Sequence, residues 1–450
     1  MKAWLRWLAA SLLLVLLPAL TAGCWSRHEI EELAVVGAVA LDAAPGDQVR
    51  LSVFITLPRA IAGGPSMGGS SGGAPAKVGE VISATGSDFA EAARRLEELI
   101  PRRLFWAQNH VLIIGEELAR RGLHSLDFFS RERQMRLTML ILITSGEARQ
   151  ALDLPAGIEL GPGTILTGIV RNKTTFKVEL KDLLAMWEAP GDNPAIPRIV
   201  MTPAGGQESR EAGGGGGGGS KGGGQEGGKK KPPEAVAIKG AGAFRDDRLV
   251  GWLDEKESNG LMWLRGEVRE GVVTVTLPGQ GAGQGQGGGR PQDFPRDQTR
   301  SQTQGQASVI FHRINAQTTA RVEDQQLTFK VEIRGHGDLM ENTANLNPDR
   351  QEDLQAIQEA VNREVGERVQ AVIRKAQQEL RTDIFGCGEI LHRSNVRYWR
   401  QVRDHWNEEF TRAQIQVQVD LTLRRMGMTN RAPGKTGSTG GKGATQGTAR

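Results

Sequence analysis

The sequence predicts a multi-domain α+β protein of mixed β-sheets with packed helices, and three patterns carry that expectation. Near the N-terminus a hairpin pattern stands beside a β-α-β pattern, which combines antiparallel and parallel pairing. In the C-terminal half, apolar residues recur at steps of three and four from Leu354 to Leu380, the mark of one long amphipathic helix. The half closes on Ile415, Val417, Val419, Leu421 and Leu423 alternating with polar residues, a half-buried strand.

Taken in order, residues 33–41 form a strand candidate, followed by a turn at Ala44-Pro45-Gly46-Asp47. Val49, Leu51, Val53, Ile55 and Leu57 then alternate onto one face, so a hairpin is expected. Ser87 is placed to cap a helix whose apolar face is Phe89, Ala92, Leu96 and Leu99, with Pro101 as its stop. Residues 111–114 read as a short buried strand, 116–134 as helix and 137–144 as a second strand, hence a parallel pair joined by a crossover. Residues 236–244 and 249–253 flank Asp246-Asp247 as a hairpin, and 272–277, 309–322 and 327–334 supply further strands. Asn347-Pro348 reads as a cap followed by proline at the first helical position, opening the long helix of about 33 residues. A second amphipathic helix places Trp399, Val402, Trp406 and Phe410 on one face.

Composition divides the chain. Lys2 and Arg6 precede an apolar run over residues 7–20, interrupted by Ser11 and Pro18. At about 14 residues this is short of the roughly 20 a membrane-spanning helix needs, but it suits a secretory leader. Leu20-Thr21-Ala22-Gly23-Cys24 resembles a bacterial lipobox, which makes residues 1–23 a lipoprotein signal peptide and Cys24 an acylated first residue. An ordinary cut near Ala22 is the alternative. Two or more acyl chains give stable anchoring to membrane lipid where one does not. Glycine-rich tracts then mark a linker at 202–233, with seven consecutive glycines (Gly213 to Gly219), an insertion at 279–306 and a shorter tract at 62–79. Two domains are expected, at 24–201 and 234–427, with a disordered tail at 428–450.

Removing the two cations of the leader and four of the tail from the formal charge of +4 leaves −2 for residues 24–426. A near-neutral body has no electrostatic attraction for nucleic acid. With Cys24 acylated only Cys387 remains, so no internal disulfide forms, and Cys387 is expected to fill a small apolar gap.

Catalytic and metal motifs lack their context. Gly64-Pro65-Ser66-Met67-Gly68 spells a nucleophile elbow but lies in a glycine-rich loop rather than between strand and helix. Gly434-Lys435-Thr436 sits in the tail without the first glycine of a phosphate loop. The seven histidines show no zinc spacing, and after His28-Glu29 the second ligand position is empty. His392 and His405 are expected to cap or line a surface. Trp399 and Trp406 form either a ligand pocket or core. No enzyme activity, metal or cofactor is expected.

Several segments together resemble the Ger(x)C family of spore-germination lipoproteins, the C subunits of nutrient germinant receptors. They are Cys24-Trp25-Ser26-Arg27-His28-Glu29-Ile30, Ser83-Ala84-Thr85-Gly86-Ser87, and Arg103-Leu104-Phe105-Trp106-Ala107-Gln108-Asn109-His110. Residues 114–122 and 131–136, Gly240-Ala241-Gly242-Ala243-Phe244, residues 249–253, Asp383-Ile384-Phe385-Gly386 and residues 399–406 continue the likeness. Ser26 stands where the family has an acidic residue, and Cys387 where it has a larger apolar one. The resemblance implies a non-enzymatic receptor subunit, lipid-anchored on the outer face of the spore's inner membrane, with integral-membrane receptor subunits as partners. A lipid-anchored solute-binding protein of a transporter is the alternative. Phe105 and Trp106 are the candidate partner contact, the other reading being that both rings pack inward.

Overall fold

In the computed structural model the described residues are 32–56, 78–154, 161–172, 175–203, 234–268, 270–278, 304–344 and 350–424, with Trp4, Trp7, Glu159, Leu346 and Asn347. Cys24, His28, Leu57, Ser66, Pro348, Lys435 and the glycine runs of the tracts lie outside them.

The expected hairpin is β1 (Leu33–Ala44) with β2 (Gln48–Thr56), and Gly46 and Asp47 turn the corner at φ of +70° and +60°. β3 (Gly79–Gly86) pairs with β2. β4 (Arg103–Phe105) and β5 (Val111–Gly115) both run parallel to β1, β6 (Leu140–Thr144) parallel to β5, and β7 (Ala195–Pro203) parallel to β6. The hairpin of β8 (Glu234–Arg245) and β9 (Arg248–Leu253) then pairs with β7, which gives the order β3-β2-β1-β5-β6-β7-β8-β9. The hairpin that follows the glycine linker therefore belongs to the same sheet as the first half of the chain.

This sheet is covered on both faces. Leu41, Leu51, Leu112, Ile141 and Ile143 pack on one side, and Ala38, Ala40, Phe54, Ile113 and Leu142 on the other. Burial of Ser52 and Phe54 beside Val53 shows that β2 is not half-exposed as its alternation suggests. Helix α1 (Phe89–Leu99) is capped by Asp88, whose carboxylate accepts from the Glu91 N–H at 2.7 Å. Ser87 instead donates its N–H and hydroxyl to the Glu91 carboxylate, and Leu99 is 60% exposed rather than part of the buried stripe. The expected helix of 116–134 is broken into α2 (Glu116–Arg121), a 3-10 turn (His124–Leu126) and α3 (Asp127–Arg131), because Gly122 at φ +131° ends the first piece. β6 starts three residues later than expected. α4 (Pro162–Arg171) covers the second face, where a side chain on Gly163 would lie 2.1 Å from the Gly37 carbonyl. α5 (Leu180–Glu188) leads into β7.

The second sheet has the order β10-β11-β12-β13, from β10 (Gly271–Pro278), β11 (Gln304–Glu323), β12 (Gln326–Asn342) and β13 (Gln414–Arg424). Helix α6 (Glu255–Arg265) bridges from β9 to β10. Helix α7 (Gln351–Arg374), extended by a π turn (Lys375–Leu380), gives 30 continuous residues. It begins after Arg350, later than the Asn347-Pro348 cap would place it. Ile357, Val361, Val365, Val369, Val372, Ala376 and Leu380 are buried along it as expected. α8 (Cys387–Ser394), α9 (Val396–Val402) and α10 (Trp406–Arg412) follow. The expected single helix over Trp399–Phe410 is thus two, separated by the turn Arg403–His405, although all four apolar residues are buried.

Candidate functional site at the junction of the two sheets

The segments that carry the family likeness in the second half meet at one place. The C-terminal end of α7 runs against β8 and β9, and a side chain on Gly251 would lie 2.4 Å from Leu380. The Thr382 hydroxyl donates to the Phe244 carbonyl at 2.7 Å, and Arg245 Nη2 donates to the carbonyls of Leu380 and Arg381 at 2.7 and 3.0 Å. From the other side, Arg265 at the end of α6 donates to the Ile384 carbonyl at 2.5 and 3.1 Å.

Asp383 is the centre of this knot and is fully buried. Its carboxylate accepts from the N–H groups of Phe385 at 3.0 Å and Gly388 at 2.8 Å, and from Trp406 Nε1 at 3.1 Å. Burial pushes its pKa up, and these donors hold it down. A buried carboxylate needs such donors, since an unpartnered one costs several kcal/mol. Its own carbonyl accepts from the Asn193 N–H at 2.9 Å, and the Asn193 side chain accepts from the Asp246 N–H at 2.7 Å, tying the loop before β7 to the β8–β9 turn. Trp406 Nε1 also reaches the Gly191 carbonyl at 3.1 Å. Gly191 is at φ +69°, and a side chain there would strike Trp406 and Trp399 at 2.7 and 2.8 Å, so only glycine fits.

Asp192 faces the same region. Its pKa is raised to about 7, first by burial and further by Asp383 and Glu389, while Arg265 opposes the rise. The Cys387 thiol is buried as expected, and burial with the nearby Asp383 and Asp192 carboxylates pushes its pKa well up, which disfavours the nucleophilic thiolate. Trp399 and Trp406 are core: their rings stand 5.3 Å apart, edge to face, and Trp406 meets Phe329 at 6.4 Å. His392 leans on Trp399 at 5.9 Å and stays partly exposed, and His405 is exposed. Trp106 is only 5% exposed and packs in the core, so it offers no surface to a partner; Phe105 is half-buried in β4.

A groove of about 1250 Å³ opens beside the knot, lined among others by His110, Arg171, Lys181, Asp192, Arg265 and Thr318. Among the described residues no group of three or more His, Cys, Asp or Glu side chains is close enough to hold a metal. The hydrogen bonds of Asp383, Thr382, Arg245, Arg265 and Asn193 tie the loop after α7 to both sheets, while Asp192 Oδ1 and Arg245 Nε are buried without a partner among the described residues. Sequence reasoning missed Asp192, Asn193, Arg245 and Arg265. The one signal was Asp383, a charge set in the apolar run Ile384-Phe385.

Comparison with known proteins places two family descriptions on the chain, "Spore germination protein N-terminal domain" over residues 26–201 and "Spore germination B3/ GerAC like, C-terminal" over residues 239–427. The putative spore germination protein YfkR of Bacillus subtilis (strain 168) is 27% identical over 417 residues, covering 92% of this chain and 95% of that one. Spore germination protein YndF of the same organism is 24% identical over 454 residues, covering 94% and 97%. A solved structure described as the crystal structure of the GerBC protein superposes with a TM-score of 0.49 at 16% identity, over 86% of this chain and 97% of that one.

Proposed function

The chain belongs to the Ger(x)C family of spore germination proteins, and on that premise we propose that it is the lipid-anchored subunit of a nutrient germinant receptor. It acts without catalysis, by assembling with integral-membrane receptor subunits on the outer face of the inner membrane. The observation that carries this reading is the match of both family domains in order over nearly the whole chain. The lipobox-like sequence ending in Cys24 supports the anchor, and no helix among the described residues is long and apolar enough to cross a membrane.

Deleting the gene and scoring nutrient-triggered germination tests the receptor role. Normal germination with loss of a solute uptake would favour the transporter reading instead. For the anchor, Cys24→Ala releases the protein from membranes or leaves an uncleaved precursor; a variant still processed and membrane-bound sinks the acylation.

A further inference from the structure

Five strands of the first sheet, β1, β4, β5, β6 and β7, run parallel and so begin at one pole. The described chain reaches that pole at Leu33, nine residues after Cys24. Fully extended, that stretch spans at most about 30 Å. If Cys24 is acylated, as proposed above, this pole is held close to the bilayer and the opposite pole is held away.

The two poles differ in chemistry. At the far end each arginine has a carboxylate: Arg50 pairs with Glu147 at 3.4 Å, Arg120 with Glu116 at 2.7 Å, Arg121 with Glu117 at 2.6 Å and Arg149 with Asp153 at 3.0 Å. At the near end Arg102, Arg133, Arg136 and Arg171 are exposed and have no ion-pair partner among the described residues. Glu98 is occupied by Arg94, and Glu132 accepts the Gln134 N–H. The loops that carry these arginines are neighbours. The Trp106 N–H donates to the Gln134 side chain at 3.2 Å, and both Arg136 and Arg171 lie near enough to His110 to help burial lower its pKa. Two leucines stand out of the same loops, Leu99 at 60% and Leu137 at 47% exposure.

We propose that this pole is a docking surface for an anionic lipid bilayer, with Arg102, Arg133, Arg136 and Arg171 on the headgroup phosphates and Leu99 and Leu137 in the interface. Basic side chains are attracted to an anionic leaflet only within about a Debye length, so they add little to capture from solution. Once an acyl anchor raises the local concentration, the same weak attraction is enough to orient the body. The chain then stands on the membrane by this pole.

The test places a single reporter on the acylated full-length chain. Cys387 is buried, so Leu137→Cys is selectively labelled with a polarity-sensitive fluorophore, and Asp47→Cys, at the far pole with a fully exposed side chain, is the reference. In vesicles containing phosphatidylglycerol, nitroxide-bearing lipid quenches the residue 137 probe about twofold more than the residue 47 probe, and its emission shifts to the blue. High salt, or Arg133→Glu with Arg136→Glu, removes that difference while flotation with the vesicles persists. Equal quenching at both sites on floated protein overturns the proposal. So does a difference that appears only when integral-membrane subunits are present, which assigns the surface to a protein partner. The mass of the Cys24 peptide reports the anchor independently, so a missing acyl group is distinguished from a pole that does not dock. Leu99→Cys gives the same readout from the second loop.

Discussion

Replacing Asp383 tests whether the junction is held by its buried carboxylate. Asp383→Ala leaves two buried N–H donors, those of Phe385 and Gly388, without an acceptor, and leaves Trp406 Nε1 with the Gly191 carbonyl alone. Each such donor costs about 1–3 kcal/mol. Loss of the buried charge returns part of this, since its desolvation is itself worth several kcal/mol. The net expectation is a loss of about 3 kcal/mol, or a fall in Tm of about 3 °C for a chain of this size. Asp383→Asn is the sharper probe. Its amide keeps the shape but offers one oxygen to donors that now reach both, so at least one N–H faces an NH2 group. A loss of about 2 kcal/mol is expected from it. Thermal melting followed by near-UV circular dichroism, which reports the packing of Trp399 and Trp406, reads both variants. If Asp383→Asn is as stable as the wild type or more so, the carboxylate is not the tie described, and burial of its charge outweighs its hydrogen bonds.

Gly260 meets the backbone of α7, where an added Cβ would lie 2.2 Å from the Arg368 carbonyl oxygen. Gly260→Ala therefore loses about 1–3 kcal/mol by overpacking, against a helix-propensity gain of about 1 kcal/mol, and a raised Tm would show that α6 and α7 do not cross so closely. Asp192, with its pKa raised to about 7, retains a proton in the folded state that the unfolded chain has already released. Stability should fall as pH rises from about 4 to 7, by at most about 1.4 kcal/mol per unit for this proton, and level off above. Asp192→Asn should flatten that slope in urea titrations across the range, and an unchanged slope refutes the assignment. Trp106→Ala should cost about 3–5 kcal/mol as a core truncation, and Phe105→Ala less than half of that. Equal stabilities by melting would place Trp106 outside the core.

Local pattern was enough for the elements whose apolar residues repeat with their own geometry. The alternation of apolar residues in β2 and β13 and the stripe from Leu354 to Leu380 announce strand and helix because apolar side chains recur there with the period of the element itself. Other elements carry no such signal. β3 is an edge strand of Gly-Glu-Val-Ile-Ser-Ala-Thr-Gly, α4 contains two glycines and β-branched residues, and α6 is buried along most of its length and shows little amphipathic contrast. Each depends on neighbours that the local sequence does not specify. The expected helix over 116–134 failed because Gly122 takes a positive φ. The expected single helix through Trp399 and Trp406 failed because its stripe survives a 3-10 break that shifts the register by little.

The sequence by itself determined the α+β class, the long helix, the hairpins, the absence of a second cysteine near Cys387 and the succession of family-like segments. It did not determine where the β8–β9 hairpin goes. A hairpin is specified by its turn and its alternation, and neither says which sheet its outer edge will join; pairing with β7 across the glycine linker is a long-range choice. The same holds for Asp383. Its meeting with Gly388, Trp406 and the loop at Asn193 follows from the packing of four separate segments, because only closure of the junction removes that carboxylate from water and supplies its donors.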